Sequence, residues 1–180
     1  VAVSSVPADV RMETYVRGAS IEAFLSASEK VDRALRAGAL AVGGSVTITT
    51  LPGYLPITSS ESMLQLYVEN AGGLVGKENL NKLSHRTGST DMGDISQLMP
   101  VIHPYVEAAS GQGHGIDYLV QDYDLGVLTG SKAMAMTVVD LLSDGGRKGK
   151  TISDGYKPPL TKSEYLALLR GMMREEIYTE

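Results

Sequence analysis

Thr87-Gly88-Ser89-Thr90-Asp91-Met92-Gly93-Asp94 gathers glycines, hydroxyls and two carboxylates in one short run. Ile102-His103-Pro104-Tyr105 follows it, and Gly113-His114-Gly115 lies just beyond. Gly88 and Gly93 allow tight backbone turns and close approach of amides to a ligand. The hydroxyls and Asp91 can cap a helix opening at about Met92, so the plain reading of this run is a loop with a helix cap. His114 has small neighbours, which leaves its ring free to reach a cleft or a metal. No second ligand stands at helical or hairpin spacing from it, so spacing alone defines no zinc site.

The elements that must carry these residues follow from periodicity. Val10, Met12, Thr14 and Val16 alternate with Arg11, Glu13, Tyr15 and Arg17, which predicts a half-exposed strand over 9–17. Val1 to Val6 reads like the middle of a strand. Ile21, Phe24, Leu25, Val31 and Leu35 recur at helical spacing behind a Ser20 cap, and Gly38 or Gly43-Gly44 ends that helix. Val46, Ile48 and Thr50 predict a strand. Leu51-Pro52-Gly53-Tyr54-Leu55-Pro56 is a hinge, with a boundary expected near residue 57. Thr58 or Ser59 can cap a helix with Met63, Leu66 and Tyr67 on its apolar stripe and Gly72-Gly73 as its stop. Residues 77–83 read as irregular or a short helix, and His85 as a loop residue. A short helix from Met92 to Leu98 and a buried strand from Val101 to Val106 are expected next. Leu125 to Leu142 predicts a helix with Leu128, Met134 or Ala135, Val138, Val139 and Leu142 inward and a stop at Asp144-Gly145-Gly146. Residues 147–160 read as a linker, including the solvated Arg147-Lys148-Gly149-Lys150. Ser163 to Ile177 predicts a final amphipathic helix with Tyr165, Leu166, Leu169 and Met173 on one face.

Composition excludes several classes. The chain has 180 residues, a net charge of −5 and no cysteine. Disulfides and thiolate metal sites are therefore absent, which suits a cytoplasmic protein. The negative charge argues against a nucleic-acid groove, and the only basic cluster, Arg147-Lys148-Gly149-Lys150, is short and interrupted by glycine. With one Phe, no Trp and nine Tyr, a stacking platform for bases is not expected. No window of about 18 apolar residues exists, so no transmembrane helix is expected; no signal peptide is visible, and no membrane partner is expected. Gly73-Leu74-Val75-Gly76-Lys77-Glu78 lacks the Ser/Thr of a phosphate loop, and no nucleophile elbow occurs.

Four segments in order carry a resemblance: Gly88 to Ser96, Pro100 to Tyr105, Gly113-His114, and Gly130-Ser131-Lys132-Ala133-Met134-Ala135-Met136-Thr137. Together they resemble the C-terminal part of the zinc-dependent aminoacylase/carboxypeptidase amidohydrolase family, closest to p-aminobenzoyl-glutamate hydrolase-like and dipeptide-hydrolase-like members. Val6 to Gly18 resembles a strand of that family's inserted lid, although Ser4 stands where the family usually carries Asn. The resemblance covers roughly residues 1–145. It implies an α/β fold with an α+β lid part: residues 1–56 as the second half of a ferredoxin-like lid or dimerisation domain, 57–146 as the C-terminal part of a zinc-exopeptidase-like catalytic domain, and 147–180 as linker and C-terminal helix.

The implied activity is metal-dependent hydrolysis of an amide or peptide bond in acyl-amino acids, aminobenzoyl-glutamate-like compounds or dipeptides. Two divalent ions, usually zinc, share a bridging carboxylate and water in such enzymes; the water attacks a carbonyl that the metals polarise. Of the family's ligands only the last histidine falls within this chain, and by position it is His114. Arg17 matches the lid arginine that grips a substrate carboxylate; a surface strand arginine is the other reading. Ser89, Thr90 and Asp91 match the loop that positions substrate, and His103 is expected either to support the site from behind or to be structural. No catalytic residue is assigned to this chain. It is expected to be a C-terminal fragment, inactive and with no metal bound by itself, that dimerises through the lid. The alternative is a non-catalytic dimerising remnant of the family, self-associating through the helix over 21–37 and the strand over 44–50.

Overall fold

A computed structural model describes residues 3–7, 9–83 and 88–179. His85 and Thr87 lie outside the described residues. The fold is mixed helix and strand, as expected, with small antiparallel sheets. Contacts divide the chain into two compact units: residues up to Gly53 joined by those from Met173 onward, and Tyr54–Met172.

In the first unit, α1 (Ile21–Leu40) starts where Ser20 Oγ accepts from the Ala23 amide at 3.2 Å. Its stripe of Ile21, Phe24, Leu25, Val31 and Leu35 is half-buried. Gly43, with φ +64°, turns the chain out of it, and the Gly44 amide donates to Ala39 O at 2.9 Å. β1 (Val46–Thr50) is the strand the alternation predicts.

The end of the chain departs from expectation. The helix expected over 163–177 stops at Met172, and β4 (Arg174–Tyr178) is a strand antiparallel to β1, with Ile48 opposite Glu176. The physical reason lies in the partners available to Arg174 and Glu175. Arg174 pairs with Asp32, the buried residue of α1, and also donates to Glu176 at 2.9 Å; Thr49 Oγ1 donates to Glu175 at 3.1 Å. Arg36 stacks over the Tyr178 ring at 4.6 Å. Residues 9–17, expected as a strand, are irregular. A strand gains its ladder from a neighbour, and no described strand pairs with this segment. Val10, Met12 and Tyr15 are exposed accordingly.

In the second unit, α2 (Glu61–Val75) is capped by Ser60, one residue later than expected; Ser60 Oγ accepts from the Met63 amide at 3.4 Å. It buries Leu66, Tyr67 and Ala71 and runs past Gly72-Gly73 to Gly76, whose φ of +85° is the turn that helix termination needs. A short 3-10 turn (Lys77–Asn79) follows. α3 (Met92–Ser96) is the short helix expected.

Residues 101–106 are not a strand. Pro104 offers no N–H, and Val101 O is taken by the Ser60 amide at 2.8 Å. A small hairpin follows, β2 (Ala109–Ser110) with β3 (Leu119–Val120). A π-helical turn (Asp124–Thr129) leads into α4 (Gly130–Gly155), whose backbone leaves helical geometry from Ser143 to Gly146. The glycine stop thus acts as expected, but residues 147–155 resume a helix where a linker was read.

The inward face of α4 also differs. Ala133 and Thr137 are its buried residues, whereas Leu128, Met134, Val138, Val139 and Leu142 are exposed. Close approach to α2 selects the small side chains: Ala133 clusters with Tyr67 and Ala71, and Asn70 bonds Thr137 at 3.3 Å and Asp140 at 2.9 Å. By length and composition the helical run Asp124–Gly155 is apolar enough to cross a membrane, which the sequence did not lead us to expect. Lys132, Asp140 and the break at Ser143–Gly146 interrupt it. α5 (Lys162–Met172) opens with a capping box: Thr161 Oγ1 accepts from the Glu164 amide at 3.3 Å, and Glu164 accepts from the Thr161 amide at 2.7 Å.

Candidate functional site

Ser89, Thr90 and Asp91 are brought together in one exposed turn ahead of α3. The expected Asp91 cap is not made. Thr90 Oγ1 instead accepts from the Met92 amide at 3.4 Å and donates to Asp91 Oδ1 at 3.1 Å. Ser89 and Asp91 are exposed.

Behind the turn, α3 is seated on an extended segment from Leu55 to Ser60. Gly93 is buried against the Leu55 carbonyl, so closely that a Cβ there would collide with that oxygen. Asp94 Oδ1 accepts from the Leu55 amide at 3.3 Å. Ser96 is fully buried; its hydroxyl donates to Gly93 O at 2.6 Å and accepts from the Thr58 amide at 3.0 Å. Gln97, also buried, donates to Pro56 O at 2.8 Å. Every polar group of this buried network finds a partner.

Burial pushes the Asp94 carboxyl above its ordinary range, and the nearby Asp91 charge adds to the shift; the Leu55 amide and the Tyr165 hydroxyl oppose it. The Tyr165 hydroxyl is raised in turn, by burial first and then by Asp94. In the sequence alone, Asp94, Ser96, Gln97 and Tyr165 carry no role at the site, although Asp94 and Ser96 lie in the Gly88–Ser96 run. The available signal was an Asp directly after a glycine in the first turn of a helix, a position where a carboxylate meets free amides.

His114 sits elsewhere, at the exposed tip between β2 and β3, with φ +66°. The Gly115 amide donates to Gln112 O at 2.7 Å and fixes this turn. Its imidazole is accessible, as the flanking glycines suggest. Among the described residues, no group of three or more His, Asp or Glu side chains is placed to hold a metal ion. A single imidazole does not make a zinc site, so the described residues do not fit the metal centre without further ligands. His103 is half-buried and packs edge-on against Tyr105, with ring centroids 5.0 Å apart. Arg17 belongs to the first unit, where it is exposed and its guanidinium lies 5.3 Å from the Tyr15 ring centroid.

Comparison with known proteins defines a class of relatives first. The chain is similar to dipeptidases, which supports a dipeptidase-like family. It is 30% identical over 146 residues to Xaa-Arg dipeptidase of Homo sapiens and, over the same length, to Xaa-Arg dipeptidase of Mus musculus. Each alignment takes in 76% of this chain and 33% or 34% of the relative. The chain therefore spans about a third of the length of the curated relatives it matches. No family profile matches it, and no solved structure does.

Proposed function

We propose that this chain is the C-terminal part of a metal-dependent amide hydrolase that acts on dipeptides or related acyl-amino acids. The observation that carries the reading is the 30% identity to dipeptidases over 146 residues, taken with the ordered motifs from Gly88 to Thr137. Residues 1–56 act as the second half of a lid, through which the protein forms a homodimer, and residues 57–146 belong to the catalytic domain. The setting is cytoplasmic. Arg17 binds the substrate carboxylate through its guanidinium fork. The Ser89 hydroxyl and the Thr90–Asp91 pair orient the scissile amide by hydrogen bonds. His114 supplies one ligand to a zinc centre whose other ligands lie outside the described residues. Zinc, when bound, supplies a Lewis acid for the carbonyl.

The test uses the protein as its source cell makes it, captured with an antibody to this chain. Its intact mass, its zinc content and its hydrolysis of Xaa-Arg dipeptides and N-acyl amino acids are measured together. The reading expects a species longer than 19 kDa, zinc that is lost on His114→Ala, and hydrolysis abolished by chelation. Unchanged zinc occupancy and rate in His114→Ala would overturn the ligand assignment. A zinc-loaded protein without hydrolysis of either substrate class would overturn the activity.

A further inference from the structure

β4 is a strand made from residues that do not favour one. Arg and Glu are good helix formers and Glu is depleted in strands, and Arg174-Glu175-Glu176 continue the helical period of α5. Only Met173 separates the end of α5 from the start of β4. The strand state is therefore conferred by the surface on which the segment lies, and that surface is built from α1 and β1.

The surface matches the segment residue by residue. Ile48 is the buried residue of β1, and Val46 and Thr50 flank it at half burial. Opposite them lie Tyr178, Glu176 and Arg174, the half-buried side of β4. None of these three is aliphatic, and polar contacts carry much of their attachment. Arg174 reaches Asp32 on α1 and Glu176 on its own strand. Arg36, one turn further along α1, lies over the Tyr178 ring. On the outer side Thr49 donates to Glu175, while Ile177 is exposed. Asp32 is only 9% exposed, and it loses this cation whenever β4 leaves. A five-residue ladder with a few polar contacts, joined to a helix through one residue, is an element that copies of a chain can exchange.

We propose that the α1–β1 surface accepts the Arg174–Tyr178 strand of a second copy in place of its own, so that two chains exchange β4 reciprocally. The occupant follows from what is seated there already: the ladder and the Arg174–Asp32 pair are the same whichever copy supplies the strand. The exchange gives the homodimer proposed above a definite seam, and it does not depend on the hydrolase activity. Arg174 sets how often β4 opens, since opening strips Asp32 of its partner.

The test uses the absence of cysteine from the chain. Thr47 and Ile177 are exposed and directly opposite, so cysteines there can form a cross-strand disulfide. Full-length Thr47→Cys and Ile177→Cys chains are mixed under mild oxidation. Covalent heterodimer is followed by mass, with light scattering on the same samples. Ser163→Cys, at an exposed position of α5, replaces Ile177→Cys as the control for random collision. The heterodimer should form well above that control. Arg174→Met in both chains should speed its formation roughly tenfold, and adding Asp32→Asn should speed it no further, because both changes remove one contact. Trapping no faster than the control overturns the exchange; a dimer still seen by light scattering then forms through another surface. Trapping that Arg174→Met leaves unchanged overturns Arg174 as the latch. Should either cysteine unfold the chain, a labelled peptide of residues 173–180 is titrated into the full-length Arg174→Met chain instead. Saturable binding that Asp32→Asn weakens roughly tenfold is expected, and no binding overturns the proposal.

Discussion

Gly93→Ala is the sharpest test of the seat beneath the loop. The added methyl would meet the Leu55 carbonyl oxygen, a backbone atom that no rotamer change can move aside. Either α3 lifts off the Leu55–Ser60 segment or that segment shifts. Overpacking of this kind costs about 1–3 kcal/mol. Lifting α3 also stretches the Asp94–Leu55 and Gln97–Pro56 bonds, whose loss adds about 1 kcal/mol each. A total of roughly 3–5 kcal/mol follows. For a unit of this size each kcal/mol lowers the midpoint by about 4 °C, so a fall of about 12–20 °C is expected by differential scanning calorimetry. Gly88→Ala is the control, because among the described residues nothing lies within 4 Å of a Cβ at Gly88. It should be neutral or stabilise by about 0.5 kcal/mol, through a less flexible unfolded chain. If Gly93→Ala melts within about 2 °C of the parent, the close approach of α3 to Leu55 is wrong and the account of the site fails with it.

Burial raises the Asp94 pKa in the folded state, so ionisation of this group costs stability as pH rises from its unfolded pKa through its folded one. Asp94→Asn should remove that contribution: relative to the mutant, the parent is more stable below this window and loses that advantage across it, read by urea titration at a series of pH values. Leu55→Ala, at a side chain only 2% exposed, should cost about 2–5 kcal/mol by denaturant unfolding. Arg174→Met leaves the mostly buried Asp32 without its cation and should cost about 1–2 kcal/mol, a value reduced by the partial exposure of Arg174. An equal stability for Arg174→Met and the parent would show that β4 is held by its backbone ladder alone. Ala133→Leu forces a larger side chain between α2 and α4 and should cost about 1–3 kcal/mol, with lost near-ultraviolet signal from Tyr67.

Elements with strong local signals were legible in the sequence. Ser20 followed by a long apolar period gives α1, and alternating Val46, Ile48 and Thr50 gives β1. Segments whose state depends on a distant partner were not. Residues 9–17 alternate as well as any strand in the chain, yet no described strand pairs with them. Residues 174–178 continue the helical period of α5 but become strand, because β1 and Asp32 offer them more than another turn of helix would. The inward face of α4 was misjudged for a related reason. Hydrophobicity marks Met134, Val138 and Leu142, whereas close contact with α2 needs Ala133 and Thr137. At the site, the Ser89–Asp91 turn was visible as a loop, but the support of α3 behind it was not, since Ser96 and Gln97 bond Thr58, Pro56 and Tyr156, which lie 38 to 60 positions away in sequence.

The pairing of β1 with β4 has a consequence for biosynthesis. Thr49 and Glu175 face each other across 126 residues of sequence. Closing a flexible loop of that length costs about 4 kcal/mol, which a five-residue ribbon cannot recover quickly. Helix α1 and β1 thus emerge from the ribosome early and wait, with one strand edge and the Asp32 carboxylate unsatisfied, while everything from Tyr54 to Met172 is translated. During that interval the edge is open to chaperones or to another nascent copy, so the order in which the two units mature is set by the direction of translation.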